Sequence, residues 1–189
     1  PVTELLTGLD LVKWQLRIAV GEPLDFHQEN ISWRGAAIEC RIYAEDPDNN
    51  FFPSPGKITR LERPGGPGVR IDGYVYPGWE VPIHYDPLLS KLICWGSDRA
   101  EAIARLRRAL EEYFIGGIRT NLPFFRRLVA QREFLAGELD TELIDRMLAE
   151  RPREEVSERL RDAATVAAAL AEMAQLARNG AGQAIPQGG

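Results

Sequence analysis

Gly35-Ala36-Ala37-Ile38-Glu39-Cys40-Arg41-Ile42-Tyr43-Ala44-Glu45 alternates apolar and polar side chains with a period of two. On an extended chain, successive side chains leave on opposite faces. Ile38, Cys40, Ile42 and Ala44 therefore share one face, and Glu39, Arg41, Tyr43 and Glu45 share the other. Downstream, residues 46–56 hold Pro47, Pro53, Pro55 and the run Asp48-Asn49-Asn50, and read as a loop. Residues 57–63 and 69–81 read as short antiparallel strands. Turns at Pro64-Gly65-Gly66-Pro67-Gly68 and Pro77-Gly78 separate and punctuate them. Residues 88–95 read as a further strand entered through Asp86-Pro87.

Helices flank this strand region. Upstream, Leu5, Leu9, Val12, Leu16 and Ala19 form one apolar stripe over residues 2–21. Gly8 interrupts the run, and the capping-box spacing of Thr7 and Asp10 divides it into a short turn and a longer helix that Gly21 and Pro23 stop. Downstream, Asp98 and Glu101 have the same spacing, and Ile103, Leu106, Leu110 and Phe114 make a stripe that ends at Gly116-Gly117. Pro123 suits the first turn of a helix to about Gln131, and Asp140 or Thr141 can cap another ending near Glu150. Residues 1–150 thus read as an α+β domain, an antiparallel sheet with flanking helices. Residues 151–189 differ. Arg151-Pro152-Arg153-Glu154-Glu155 is polar, residues 163–177 are alanine-rich with a thin stripe of Val166, Leu170, Met173 and Ala177, and residues 179–189 are rich in Gly, Gln and Pro. These features predict a linker helix and a flexible tail.

Composition bounds the chemistry. Of 189 residues, 44% are hydrophobic and 27% charged, which is ordinary for a globular protein. A formal net charge of −5 is a poor match to sequence-independent nucleic-acid binding, which needs cations against phosphates. Apolar runs fall short of the roughly 18 residues that span a bilayer. Cys40 and Cys94 lack CxxC spacing, which argues against structural zinc and for a reducing cytoplasm. The chain opens on proline, so it is expected to be a piece of a larger protein.

Among the chemistry-bearing residues, His27 and His84 are isolated, and no metal site is expected at either. The prolines of residues 64–68 remove amide donors that a phosphate loop would need, which leaves a turn. Arg105, Arg107 and Arg108, with Glu101, Glu111 and Glu112 around them, fit a solvated helix face with i,i+4 pairs. Arg41 has two readings. Flanked on its face by Glu39 and Glu45, it is either a salt-bridged structural arginine or a guanidinium presented to an anion or carbonyl oxygen.

Several strings resemble the biotin carboxylase family. They are Pro1-Val2-Thr3-Glu4 with Thr7-Gly8-Leu9-Asp10-Leu11-Val12, Ala37 to Pro47, and Phe52-Pro53-Ser54-Pro55-Gly56-Lys57-Ile58. Tyr85-Asp86-Pro87-Leu88-Leu89-Ser90-Lys91-Leu92 and Gly116-Gly117-Ile118-Arg119-Thr120-Asn121 complete the set. The resemblance covers about residues 1–150 and only the C-terminal part of that enzyme. It implies ATP-dependent carboxylation of biotin, held on a carrier protein, through carboxyphosphate. The ATP-grasp nucleotide site and the acids that bind Mg2+ or Mn2+ would lie upstream in the same polypeptide. By resemblance, Arg41 matches the arginine that stabilises the biotin enolate, an oxyanion role, which settles its two readings toward the functional one. Asp86 matches an aspartate near the biotin pocket, Leu143 an apolar residue lining the adenine pocket, and Arg70 an arginine of the dimer interface. Pro67 stands where bacterial members carry an aromatic interface residue, and the loop at residues 48–50 is one residue longer. The implied setting is acetyl-CoA carboxylase of fatty acid biosynthesis or another acyl-CoA carboxylase, with propionyl-CoA, methylcrotonyl-CoA and pyruvate carboxylases as alternatives. A separate carboxyltransferase would choose the acceptor. The competing reading is a stand-alone interaction module that kept the fold and lost catalysis.

Overall fold

The computed structural model describes residues 1–82, 84–149 and 158–180. The chain divides into two units, Pro1–Leu143 and Ile144–Gly189. The first unit opens with helices α1 (Val2–Thr7) and α2 (Leu11–Ala19). Gly8 takes the left-handed conformation that ends α1, and Asp10 caps α2 by accepting from the Lys13 N–H at 2.9 Å. The chain then runs through β1 (Ala36–Tyr43), β2 (Glu45–Asp46), β3 (Phe52–Pro53), β4 (Gly56–Lys57), β5 (Arg60–Glu62), β6 (Val69–Gly73), β7 (Glu80–Val81) and β8 (Leu88–Gly96). Helix α3 (Arg99–Glu112), strand β9 (Phe114–Gly116), and helices α4 (Leu122–Leu128), α5 (Arg132–Ala136) and α6 (Leu143–Ala149) follow. The second unit holds most of α6 and then α7 (Glu158–Gly180), on which Val166, Leu170 and Met173 are exposed. The expected polar linker at residues 151–155 and most of the expected tail, residues 181–189, lie outside the described residues.

The principal sheet is antiparallel, in the order β1-β8-β6. Cys40 faces Leu92, which in turn faces Ile71, and these side chains point to the core side, as do Ile42, Cys94 and Val69. Helix α3 covers that side with Ala102, Ile103, Leu106, Ala109 and Leu110, all buried. Asp98 caps it, accepting from the Glu101 N–H at 2.8 Å, while the Glu101 carboxylate reaches back one residue further than a capping box, to the N–H and hydroxyl of Ser97. The α+β reading with an antiparallel sheet and flanking helices therefore holds.

Local departures have local causes. The expected strand over 57–63 is two short ones, β4 and β5, which pair with β7 and β9 respectively. The expected strand over 69–81 breaks at Gly73, and the intervening Tyr74 and Tyr76 pack edge-on against Trp79. The helical stripe through Phe114 ends early. Helix α3 stops at Glu112, Tyr113 is the buried aromatic, and Phe114 starts a strand and is exposed. Helix α5 was not expected from the sequence pattern.

Tyr113 matters because its hydroxyl lies 2.7 Å from that of Ser90, with both side chains buried. Tyr113→Phe should lower unfolding stability by about 1–3 kcal/mol, because it strands the Ser90 hydroxyl. Adding Ser90→Ala should recover most of that loss in urea melts. A double variant no more stable than the single one would deny the pairing its role.

Candidate functional site

The face of the sheet away from α3 carries charge in rows set by strand register. Arg41 on β1 faces Lys91 on β8, which faces Asp72 on β6. One step along, Glu39 faces Ile93, which faces Arg70. Directly opposed residues of an antiparallel pair point to the same side, so these side chains share one surface. Helix α1 lies on part of it, where Glu4 meets Arg70 at 3.1 Å.

Arg41 is held at one edge and open at the other. Its Nε lies 3.3 Å from a Glu39 oxygen, and its side chain is 61% exposed while that of Glu39 is 15% exposed. The hydrogen bond to Glu39, then that to Tyr43, raises its pKa above the ordinary arginine value against a small opposing desolvation. The group is a permanent cation. Glu45 does not share in holding it, contrary to the alternation argument. The register of β1 against β8 shifts between Ile42 and Tyr43, and Glu45 belongs to β2. Burial, and next the charge of Asp86, raise the Glu45 pKa. Asp86 ends the loop before β8 and accepts from the Leu88 N–H at 2.9 Å, so it fixes the turn that brings the chain to the Tyr43 end of β1.

Arg70 is clamped by its own chain. Its Nε and a terminal nitrogen lie 2.7 and 2.9 Å from the two Asp72 oxygens, a bidentate pair, and the other terminal nitrogen reaches Glu4. Those hydrogen bonds, led by that to Asp72, raise its pKa against partial desolvation. Glu4 and Lys91, which complete the charged face, were given no role from sequence. Arg70 and Glu4 are 66 positions apart, and only the fold brings them together. Leu143 is buried and starts α6. Arg41 and Arg70 thus share a surface on the two edge strands, and Asp86 stands at one end of it. Concavities among the described residues lie elsewhere. One of about 210 Å³ is lined by residues including Asp46, Tyr113, Arg119 and Arg126, and one of about 580 Å³ by residues including Glu80 and His84.

The other sequence candidates settle as follows. Residues 64–68 form a turn in which the Val69 N–H donates to the Gly66 carbonyl at 3.1 Å. Arg105 pairs with Glu101 and Arg108 with Glu112, both at i,i+4. Cys40 and Cys94 are free and buried, and desolvation pushes their thiols up to about 12 and about 11. Among the described residues no three His, Cys, Asp or Glu side chains are disposed to hold a metal ion. None of the described helices is long and apolar enough to cross a membrane.

Residues 39–146 match the model of the family described as the biotin carboxylase C-terminal domain. The chain is 50% identical over 147 residues to biotin carboxylase of a Nostoc species, covering 78% of this chain and 33% of the relative. It is 51% identical over 148 residues to biotin carboxylase of Allochromatium vinosum, again covering 78% and 33%. A solved structure with a TM-score of 0.77 and 41% identity covers 80% of this chain and 34% of its own. That structure is the biotin carboxylase domain dimer of Hydrogenobacter thermophilus 2-oxoglutarate carboxylase with MgADP, ADP and bicarbonate. The chain therefore spans about a third of the length of the relatives it matches.

Proposed function

Because the chain belongs to the biotin carboxylase C-terminal domain family, we propose that it forms the biotin-facing part of an ATP-dependent biotin carboxylase. In that reaction ATP phosphorylates bicarbonate to carboxyphosphate with release of ADP, and the carboxyl group then passes to a ureido nitrogen of biotin borne on a carrier protein as phosphate leaves with the nitrogen's proton. The observation that carries this reading is Arg41, a guanidinium braced by Glu39 on an open sheet face. When the ureido nitrogen loses its proton, charge builds on the ureido oxygen. A cation already fixed in place stabilises that charge without reorganising. Glu39 engages Nε, and the 61% exposure leaves the terminal nitrogens able to reach a ligand.

The finer assignments belong to the same proposal. Asp86 borders the biotin pocket, Leu143 lines the adenine pocket, and Arg70 borders a dimer contact like that of the solved Hydrogenobacter domain dimer. Residues 1–150 act as one domain and 151–189 as a connector. The proposed partners are an ATP-grasp part, a biotin carrier and a carboxyltransferase that selects acetyl-CoA, another acyl-CoA or pyruvate. ATP with Mg2+ or Mn2+ is bound mostly outside this chain. The buried, unpaired Cys40 and Cys94 support a cytoplasmic setting.

Joined to the ATP-grasp part of a relative, the chain should restore ADP release that depends on both biotin and bicarbonate. Neither piece alone should show it. A joined protein that folds, binds ATP and yet releases no ADP in response to biotin would favour the non-catalytic module.

A further inference from the structure

Strand β1 lies at an edge of its sheet, paired with β8 on one side alone. A peptide group left unpaired inside a protein is costly, so the other edge must be answered by something. At Arg41 and Tyr43 the answer is one side chain. Asn121 Nδ2 donates to the Arg41 carbonyl at 3.0 Å, its Oδ1 accepts from the Tyr43 N–H at 3.0 Å, and its own N–H donates to the Tyr43 carbonyl at 3.2 Å. Asn121 is 5% exposed. A carboxamide alone among small side chains offers a donor and an acceptor side by side, as a neighbouring strand's peptide would.

The three bonds straddle the point where the register of β1 shifts, between Ile42 and Tyr43. The loop that brings Asn121 there is tightly made. Gly117 has φ +96° and a Cβ on it would run into the Lys57 carbonyl, while the Arg119 N–H donates to Ser54 Oγ at 3.0 Å. We infer that Asn121 is a positioning residue for Arg41: its buried amide pairs the free edge of β1 at Arg41 and Tyr43 and fixes the peptide groups following the Arg41 Cα, and with them the direction in which the guanidinium leaves the sheet. This rests on the reading of Arg41 as the residue facing the biotin ureido group.

The test is a double-mutant cycle in the complete carboxylase with free biotin. Asn121→Ala should lower kcat about 10- to 100-fold, the scale of a misplacement near 1 Å, with KM for ATP unchanged. In an Arg41→Gln background the same substitution should add less than about twofold, since the group it positions is gone. Asn121→Asp, which keeps the acceptor and removes the donor to the Arg41 carbonyl, should fall between wild type and Asn121→Ala. Wild-type kcat in Asn121→Ala, or a full multiplicative loss in the Arg41→Gln background, overturns the inference. So does loss of folding in both Asn121 variants, which assigns the residue to stability. Normal turnover of Arg41→Gln by itself would instead sink the underlying reading of Arg41.

Discussion

Replacing Arg41 by Gln in the complete carboxylase should slow biotin carboxylation by about 10²–10³-fold, the typical loss for one oxyanion stabiliser. Glutamine keeps polarity and much of the length but removes the charge proposed to face the developing enolate. Stability should hardly change. The side chain is 61% exposed, and its ion pair with Glu39 is of the surface kind that contributes about 0–1 kcal/mol. KM for ATP should also stay near its original value, because Arg41 is proposed to face biotin rather than the nucleotide. Steady-state ADP release with and without biotin, read beside a thermal melt, checks all three points. A variant that melts early and whose folded fraction turns over normally would make Arg41 a structural arginine.

The contrast between Arg41 and its neighbours shows what a sequence can carry. Period-two alternation placed Ile42 and Cys40 in the core and Arg41 outside, because the pattern records burial directly. It went wrong at Glu45, two residues past a register shift that no local pattern signals. The stripe on the first helices predicts helix, and α1 and α2 form there. Leu16 and Val12 keep helical spacing, yet each is 66% exposed. An amphipathic pattern says that a face is apolar, not that this chain covers it. Resemblance supplied the role proposed for Arg41, since chemistry alone left a structural arginine open. The ion pair of Arg70 with Glu4, and the amide of Asn121 against β1, depend on residues 66 to 80 positions apart meeting in space. Spacing along the chain carries no trace of such contacts.

Leu92→Ala is the counterpart, a large effect on stability at a residue that touches no proposed substrate. Leu92 lies at the middle of the central strand β8, between Cys40 on one side and Ile71 on the other, and is fully buried in the core beneath α3. Truncation removes its transfer free energy and leaves a cavity that strands paired on both sides cannot close. A loss of about 2–5 kcal/mol follows for a buried leucine of this kind. Urea unfolding of the 189-residue chain should show a lower midpoint with an unchanged m-value, the sign of lost stability rather than an altered unfolded state. A loss under about 1 kcal/mol would mean that β8 can shift to fill the space. The plane that carries Arg41 and Lys91 on its other face would then be softer than the oxyanion role proposed for Arg41 requires.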